Sequence, residues 1–392
     1  MKKFFQQKLF WQGFLGLLFI SFIFTFAFMG STVNPTLKDL PLAVVVEDEG
    51  VTLPNNKQLN IGETFEEQIK KKDQESIDWT VLNSRDEAIE GMNEKEYYGA
   101  IIFPNDLSKT IFSLLKDSSG KAKVEVLINE GMNANAAKMA GQISDGIVAK
   151  LNQQVQQNLY DQASKQKMTL SVDQLKALAT PIHVKTEKLN PVGSHTANGN
   201  APVLFTQILW ITTFIGSIIL FLVIKKLGLR KWTVSTILSQ LLGGLLFVLS
   251  ICGLVFWLAS GLLDVSIPDN GEMFLLMLFT GLMFFFIQGA LFNWIGYAAA
   301  PLLVLLFFFS TPVLTLPPEM LPEVTRDWLY SWVPFRFSVE AFKDTFFFGV
   351  NPLEDGIGVL GYTGLTGFVV MILAPIKPKR NAKEQKSIVV NE

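Results

Sequence analysis

Six long apolar runs divide this chain, and one stretch between them, residues 31–200, is polar and mixed throughout. The runs are Phe10 to Met29, Val203 to Ile224, Val234 to Leu263, Met273 to Phe292, Ala298 to Leu316 and Ile357 to Ile376. Each holds about 20 residues, enough for a helix rising about 1.5 Å per residue to cross a hydrocarbon layer of about 30 Å. The third is about 30 residues long, so it must tilt or break. Asn293-Trp294-Ile295-Gly296-Tyr297 then makes a very tight, uncharged turn between the fourth run and the fifth. The pattern predicts a polytopic α-helical membrane protein with six transmembrane helices and a mixed α/β domain between the first and second.

The first run has a rival reading as a cleaved signal peptide. Such a peptide has an apolar core of about 7–15 residues and ends in a small-x-small site. Ala27-Phe28-Met29 fits that poorly, so an uncleaved span is expected. The residues before it, Lys3-Phe4-Phe5 to Leu9-Phe10, mix bases and aromatics. They either lie flat at the inner interface or simply flank the span.

Within the polar region, apolar pentads and hexads read as strands. They are Pro41 to Val46, Ile77 to Leu82, Gly99 to Phe103 and Val124 to Ile128, with Ile182-His183-Val184 as a last strand. Helical stretches, Asp86 to Met92 and Leu107 to Leu115, fall between them, which predicts a small layered α/β or α+β domain. A long amphipathic helix follows, with Ala136, Ala140, Ile143, Ile147, Leu151, Val155 and Leu159 on one face. That face packs on the domain's own sheet, or serves as a stalk or self-association seam.

Between the fifth and sixth runs, Leu316-Pro317-Pro318-Glu319-Met320-Leu321-Pro322 breaks the helix. Trp328, Leu329, Trp332, Val333 and Phe335 then mix with Arg326, Asp327, Arg336 and Glu340. Trp328 and Trp332 read as anchors at the water–lipid boundary, on short amphipathic helices that lie on or dip into the outer leaflet. The rival is an ordinary loop. The organisation is then 1–30 as cytoplasmic end and first helix, 31–202 as the α/β domain, 203–376 as five helices with the segment 317–350, and 377–392 as a basic tail.

Charge orients this arrangement. The net charge of −2 hides a segregation, since the apolar runs are nearly free of charges. Lys225, Lys226, Arg230 and Lys231 follow the second run, and Lys377, Lys379, Arg380, Lys383 and Lys386 follow the sixth. Lys2, Lys3 and Lys8 precede the first, whereas the loop with Asp264, Asp269 and Glu272 has no Lys or Arg. Basic residues stay cytoplasmic during insertion. Both termini are therefore expected inside and residues 31–202 outside, in a cell membrane. Only 17% of residues are charged against 49% hydrophobic, too apolar for one soluble globule. No large basic face accompanies stacking aromatics, so nucleic acid is not an expected partner.

Candidate chemistry is sparse. No Asp, Glu, Lys, Arg or His lies within the runs, where coupled transporters place the groups that bind ions or relay protons. Gln207, Gln240 and Gln288, with Asn293 at a boundary, read as helix–helix hydrogen-bonding groups or as substrate contacts. Ser235, Ser239 and Gly243 recur every fourth residue, and Gly358, Gly361, Gly364 and Gly367 every third. Small residues admit close helix approach, within the chain or along a dimer seam. No phosphate-cradling G-x-x-x-x-G-K-[ST] string occurs. His183 and His195 are too few for a metal site, and Cys252 lies in a run, so no metal, cofactor or catalytic set is expected.

The layout, one run, a polar domain, then five runs with a Pro-rich break before the last, resembles the ABC type-2 exporter permeases. Within them it resembles the phage infection protein branch, Pip-like and YhgE-like. The residues carrying the likeness are Leu42-Ala43-Val44-Val45-Val46-Glu47-Asp48-Glu49, then Asn190-Pro191-Val192-Gly193 through Gly199-Asn200-Ala201-Pro202 with Trp210. Leu316-Pro317 through Leu321-Pro322, with Val333-Pro334-Phe335, completes it. The resemblance implies a non-enzymatic permease subunit, paired with a second copy or a similar chain and driven by a separate cytoplasmic ATPase. It implies that the loop with Lys225, Lys226, Arg230, Lys231 and Trp232 contacts that ATPase. Read from charge alone, the same cluster sets topology and touches anionic membrane lipid. The family suggests a lipid-like, peptide or antibiotic cargo. The alternative is a non-transporting surface protein (receptor, immunity factor or secretion scaffold) working through its outer domain.

Overall fold

The computed structural model describes residues 8, 11–12, 14–15, 18–19, 37–52, 58–71, 76–115, 122–227, 232–350, 352 and 357–377. Most of the first apolar run lies outside the described residues, as do Arg230, Lys231 and the basic tail beyond Lys377. The chain divides into two compact units. One is Thr36–Val192, and everything from Gly193 onward belongs to the other.

The first unit is a layered α/β structure. Its strand β1 (Leu40–Val46) is apolar on both faces, and such a strand is stable only when buried between neighbours and under two layers. It pairs in parallel with β4 (Ile77–Leu82) on one side and β5 (Gly99–Phe103) on the other. The short strands β2 (Val51–Thr52) and β3 (Gln58–Leu59) form a separate antiparallel ribbon. Crossover helices α1 (Ile61–Lys71) and α2 (Arg85–Asn93) join the parallel strands. After α3 (Leu107–Ser113) the chain returns as β6 (Ala122–Asn129), antiparallel to β5. Helices α4 (Ala134–Lys165) and α5 (Val172–Ala179) then lead to β7 (Ile182–Leu189), parallel to β6. The sheet order is β4-β1-β5-β6-β7.

Helix α2 covers one sheet face, through Ala88 and Met92 on Ala43, Val45, Ala100 and Ile102. Helices α1, α3, α4 and α5 cover the other. The long helix α4 buries Ala136, Ala140, Ser144, Val148, Val155 and Leu159 against that face. Ile143, Ile147 and Leu151, expected on the same face, are its half-buried shoulders. The amide of Asn152 ties α4 to the last strand: it donates to Ile182 O and accepts from Ile182 N, both at 2.8 Å.

The second unit is a helical bundle with an apolar core. Helix α6 (Ala201–Lys226) opens with Pro202 at a position where no amide donor is needed. Helix α7 (Val234–Trp257) is capped by Thr233, and α8 (Asn270–Ile295) by Asp269, each accepting from the amide three residues on. The π-turn Leu258–Leu262 continues α7, so the overlong third run ends in a local irregularity rather than a straight helix. Helix α9 (Ala299–Thr315) follows α8 almost at once, and α10 (Pro334–Lys343) and α11 (Ile357–Ile372) complete the unit.

Four helical stretches among the described residues are long and apolar enough to cross a membrane: Ala201–Lys226, Val234–Leu262, Asn270–Thr315 and Gly358–Ile376. The third, 46 residues long, is two limbs. Gly296 breaks it with φ +65 and ψ −136, a conformation that side chains resist. The ring of Phe335 lies 5.9 Å from Phe284 on α8 and 6.2 Å from Phe307 on α9. In one straight helix those two residues would stand about 34 Å apart. The chain therefore reverses at the uncharged turn, and α8 and α9 run antiparallel.

Candidate functional site

The helical unit is polarised from end to end. Helix α6 ends in Lys225 and Lys226, whose charges suit a helix C-terminus. The Lys225 ammonium lies 4.0 Å from the centre of the Tyr297 ring and 5.8 Å from that of Phe221. Lys377, just past α11, donates to the carbonyl of Trp294. Trp294 in turn donates from Nε1 to Val370 O at 2.8 Å. Lys225 and Lys377, which follow separate apolar runs, thus touch the same turn. Acidic residues, Asp264, Asp269 and Glu272, mark the connection between α7 and α8. There His195 Nδ1 lies 3.1 Å from Asp264 O, and Thr345 donates to Glu272 Oε1 at 3.3 Å.

Within the four apolar helical stretches the buried polar side chains are amides and hydroxyls. Gln240 on α7 and Asn293 on α8 exchange two hydrogen bonds, at 3.1 and 3.0 Å, and both are buried. Gln288 donates to Trp210 O at 3.1 Å and accepts from Ser217 at 3.3 Å. Thr206 and Ser338 pair at 2.8 Å, fastening α10 to α6. Gln240 and Gln288 thus bond helix to helix. Sequence reasoning missed Thr206, Ser217 and Ser338, because hydroxyls are common in apolar helices and carry no spacing signal.

Glycines set how closely the helices meet. A Cβ on Gly367 would lie 2.9 Å from Ile287 N and 3.0 Å from its Cα, so α11 and α8 touch backbone to backbone. Gly364 faces Met283 and Gly361 faces Phe279, while Gly358 has open space. On α7 the buried stripe is Thr236, Gln240, Gly244, Val248 and Cys252, with the Phe285 ring lying on Gly244. Ser235 and Ser239, one residue out of phase with that stripe, are exposed, and Gly243 faces Leu220. Trp232 is half-buried and packs on the bundle core.

The segment before α11 has two characters. Val324, Trp328 and Trp332 recur every fourth residue and are exposed at 72%, 78% and 55%, an apolar stripe facing outward. Helix α10 is instead drawn into the bundle, burying Phe335, Ser338, Val339, Ala341 and Phe342. Asp344, just beyond it, is fully buried, a position the sequence reading left in an amphipathic outer segment. No group of three His, Cys, Asp or Glu side chains among the described residues suits a metal ion.

An apolar helical bundle with basic and acidic ends, joined in one chain to a compact α/β unit, defines a multi-pass membrane protein. The comparisons narrow this class. The chain belongs to the ABC-2 family transporter proteins, whose pattern it matches over residues 8–376. Over 143 residues it is 27% identical to the uncharacterized protein YhgE of Bacillus subtilis (strain 168), covering 36% of this chain and 18% of that one. Over 131 residues it is 32% identical to the ESX secretion system protein YueB of the same organism, covering 31% of this chain and 12% of that one. The matched stretches thus span less than a fifth of either relative. A crystal structure of a domain of an ABC type-2 transporter from Thermotoga maritima MSB8 is 19% identical. It covers 38% of this chain and 84% of that one, with a TM-score of 0.24, too low to argue from.

Proposed function

We propose that this chain is the membrane-spanning half of an ABC exporter. It moves a lipid-like, peptide or antibiotic cargo outward with energy from a separate ATPase. The observation that carries this reading is that Lys225 and Lys377 touch one turn at the end of uncharged apolar helices, in a chain of the ABC-2 family. That end is the cytoplasmic one if the positive-inside bias holds. Counting the first apolar run, the reading has six crossings, both termini inside and residues 31–202 outside.

In this reading the energy comes from outside the chain. Its buried spans carry amides and hydroxyls, which bind no coupling ion tightly and relay no proton. Lys225, Lys226, Arg230, Lys231 and Trp232 form the loop on which the ATPase docks. They precede α7, and α7 holds Asn293 of the inner turn through Gln240. A push on the loop would thus reach α8 and α9 through α7. Ser235 and Ser239 remain open on α7 for a second permease subunit.

Gentle purification of the full-length chain from its native host is expected to bring down an ATP-binding subunit. Arg230→Glu with Lys231→Glu should lose it while the topology stays unchanged. A second reading rests on the likeness to the ESX secretion system protein YueB. In it the α/β unit is the working part and the helices its anchor. Wild-type protein that never co-purifies with an ATPase would favour that reading over export.

A further inference from the structure

The sheet of the α/β unit ends at β7, and among the described residues no strand pairs with its outer edge. The bonds at its two ends show which backbone groups that edge offers. Leu189 O accepts from Glu130 N at 3.2 Å, just past β6, so Leu189 faces β6. Ile182 N and O both bond the Asn152 side chain, so Ile182 faces away from β6. A residue's amide and carbonyl lie on one side of a strand, and the side alternates along it. Val184, Thr186 and Lys188 therefore turn their amides and carbonyls outward. His183, Val184, Lys185, Thr186 and Lys188 are exposed. Lys185 and Glu187 share one face of the strand, where Lys185 Nζ lies 2.7 Å from Glu125 Oε1 and Arg85 3.0 Å from Glu187 Oε2.

We propose that the outer edge of β7 pairs antiparallel with β7 of a second copy, about a two-fold axis at Thr186. The two sheets then become one. In such a pair the axis passes through residues that exchange their backbone bonds, which leaves Val184, Thr186 and Lys188 as centres. At Thr186 the charges complement themselves. Lys185 stands opposite Glu187 of the partner subunit, and Glu187 opposite the partner's Lys185. On the other face Thr186 meets its own copy and Val184 meets Lys188, so no like charges oppose each other. An axis at Val184 would set Lys185 against His183, and one at Lys188 would set Glu187 against Leu189, losing both ion pairs. Thr186 exchanges both its backbone bonds with its copy, and each Val184–Lys188 pair does the same. Asn152 already holds the outward groups of Ile182, which closes the pairing at that end. Lysines on an edge strand deter foreign strands. Here Lys185 has its matching Glu187 two residues on, so the edge rejects most strands and admits its own copy. This inference does not rest on export.

The test uses full-length chains in membranes, in a Cys252→Ala background, under a mild oxidant. Thr186→Cys should form a disulfide between two chains, because directly opposed residues of this kind have Cα atoms about 5.5 Å apart, within disulfide reach. Val184→Cys should form about tenfold less in the same time, since its two copies stand about 14 Å apart along the strands. Chains with Val184→Cys mixed with chains carrying Lys188→Cys should link again. Added to Thr186→Cys, Lys185→Glu alone or Glu187→Lys alone should each lower the yield about fivefold. One chain with Lys185→Glu and one with Glu187→Lys, expressed together, should restore a mixed disulfide. Equal rates at Thr186→Cys and Val184→Cys, or no disulfide at Thr186→Cys, would overturn the proposal even if neither charge variant folds. So would folded charge variants that show no rescue when mixed.

Discussion

Asp48 illustrates how a single buried carboxylate can organise a domain edge. Its Oδ2 accepts from Ile61 N and Gly62 N, both at 3.1 Å, and from Ser108 Oγ at 2.5 Å. Its Oδ1 accepts from Ser108 N at 3.0 Å and Gly50 N at 3.2 Å. The amides of Ile61, Gly62 and Ser108 are at the first turns of α1 and α3, whose orphan donors and dipoles favour a negative charge. Asp48→Ala would strand these donors and should cost about 3 kcal/mol or more. Hydrogen exchange at the Ile61 and Gly62 amides would report it directly, and unchanged protection there would refute the clamp. Glu125 is a second such residue. Burial pushes its carboxyl up, but hydrogen bonds from Arg85 at 2.6 Å and Lys185 at 2.7 Å outweigh this and hold it below the usual range. A depressed carboxyl stabilises the fold above its unfolded value of about 4.3, and the gain is lost as pH falls through its folded value. Wild type and Glu125→Gln should therefore converge in denaturation midpoint between about pH 5 and pH 3. A constant gap across that range would contradict the assignment.

The elements were legible in proportion to how strongly their pattern is local. The strands at Ile77 to Leu82 and Gly99 to Phe103 could be read to the residue, because a buried strand is a short apolar run between breaks. The face of α4 was displaced by about one residue. Its centre holds Ser144 and small alanines, which hydrophobic periodicity undervalues beside Ile143, Ile147 and Leu151. Ser235, Ser239 and Gly243 stand one residue from the buried stripe of α7, since small residues alone do not say which way a lipid-embedded helix faces. The inward turn of α10 was not legible, because its burial depends on Phe335 meeting Trp210, Phe284 and Phe307, all distant in sequence. The glycine run on α11 makes a sharp element-scale prediction. Gly367→Val must separate α11 from the Ile287 backbone and should cost about 1–3 kcal/mol or prevent assembly. Gly358→Val meets open space and should leave the thermal midpoint of the purified protein nearly unchanged. Equal effects of the two would show that the glycines do not set this helix contact.

At the scale of the whole molecule, the proposed topology rests on charge. Lys225 and Lys377, which follow separate apolar runs, both touch the turn between α8 and α9, and the rest of the proposed function follows from taking that end as cytoplasmic. In the proposed topology the ATPase would approach from the side of the membrane that holds Lys225, and residues 31–202 would lie on the other side. The most direct test is accessibility in intact cells. In a Cys252→Ala background, single cysteines replace Gln153, exposed on α4, and Lys226, exposed at the end of α6. A membrane-impermeant maleimide should label Gln153→Cys in intact cells and Lys226→Cys only after the membrane is opened. Labelling of Lys226→Cys from outside, or protection of Gln153→Cys until lysis, would contradict the account.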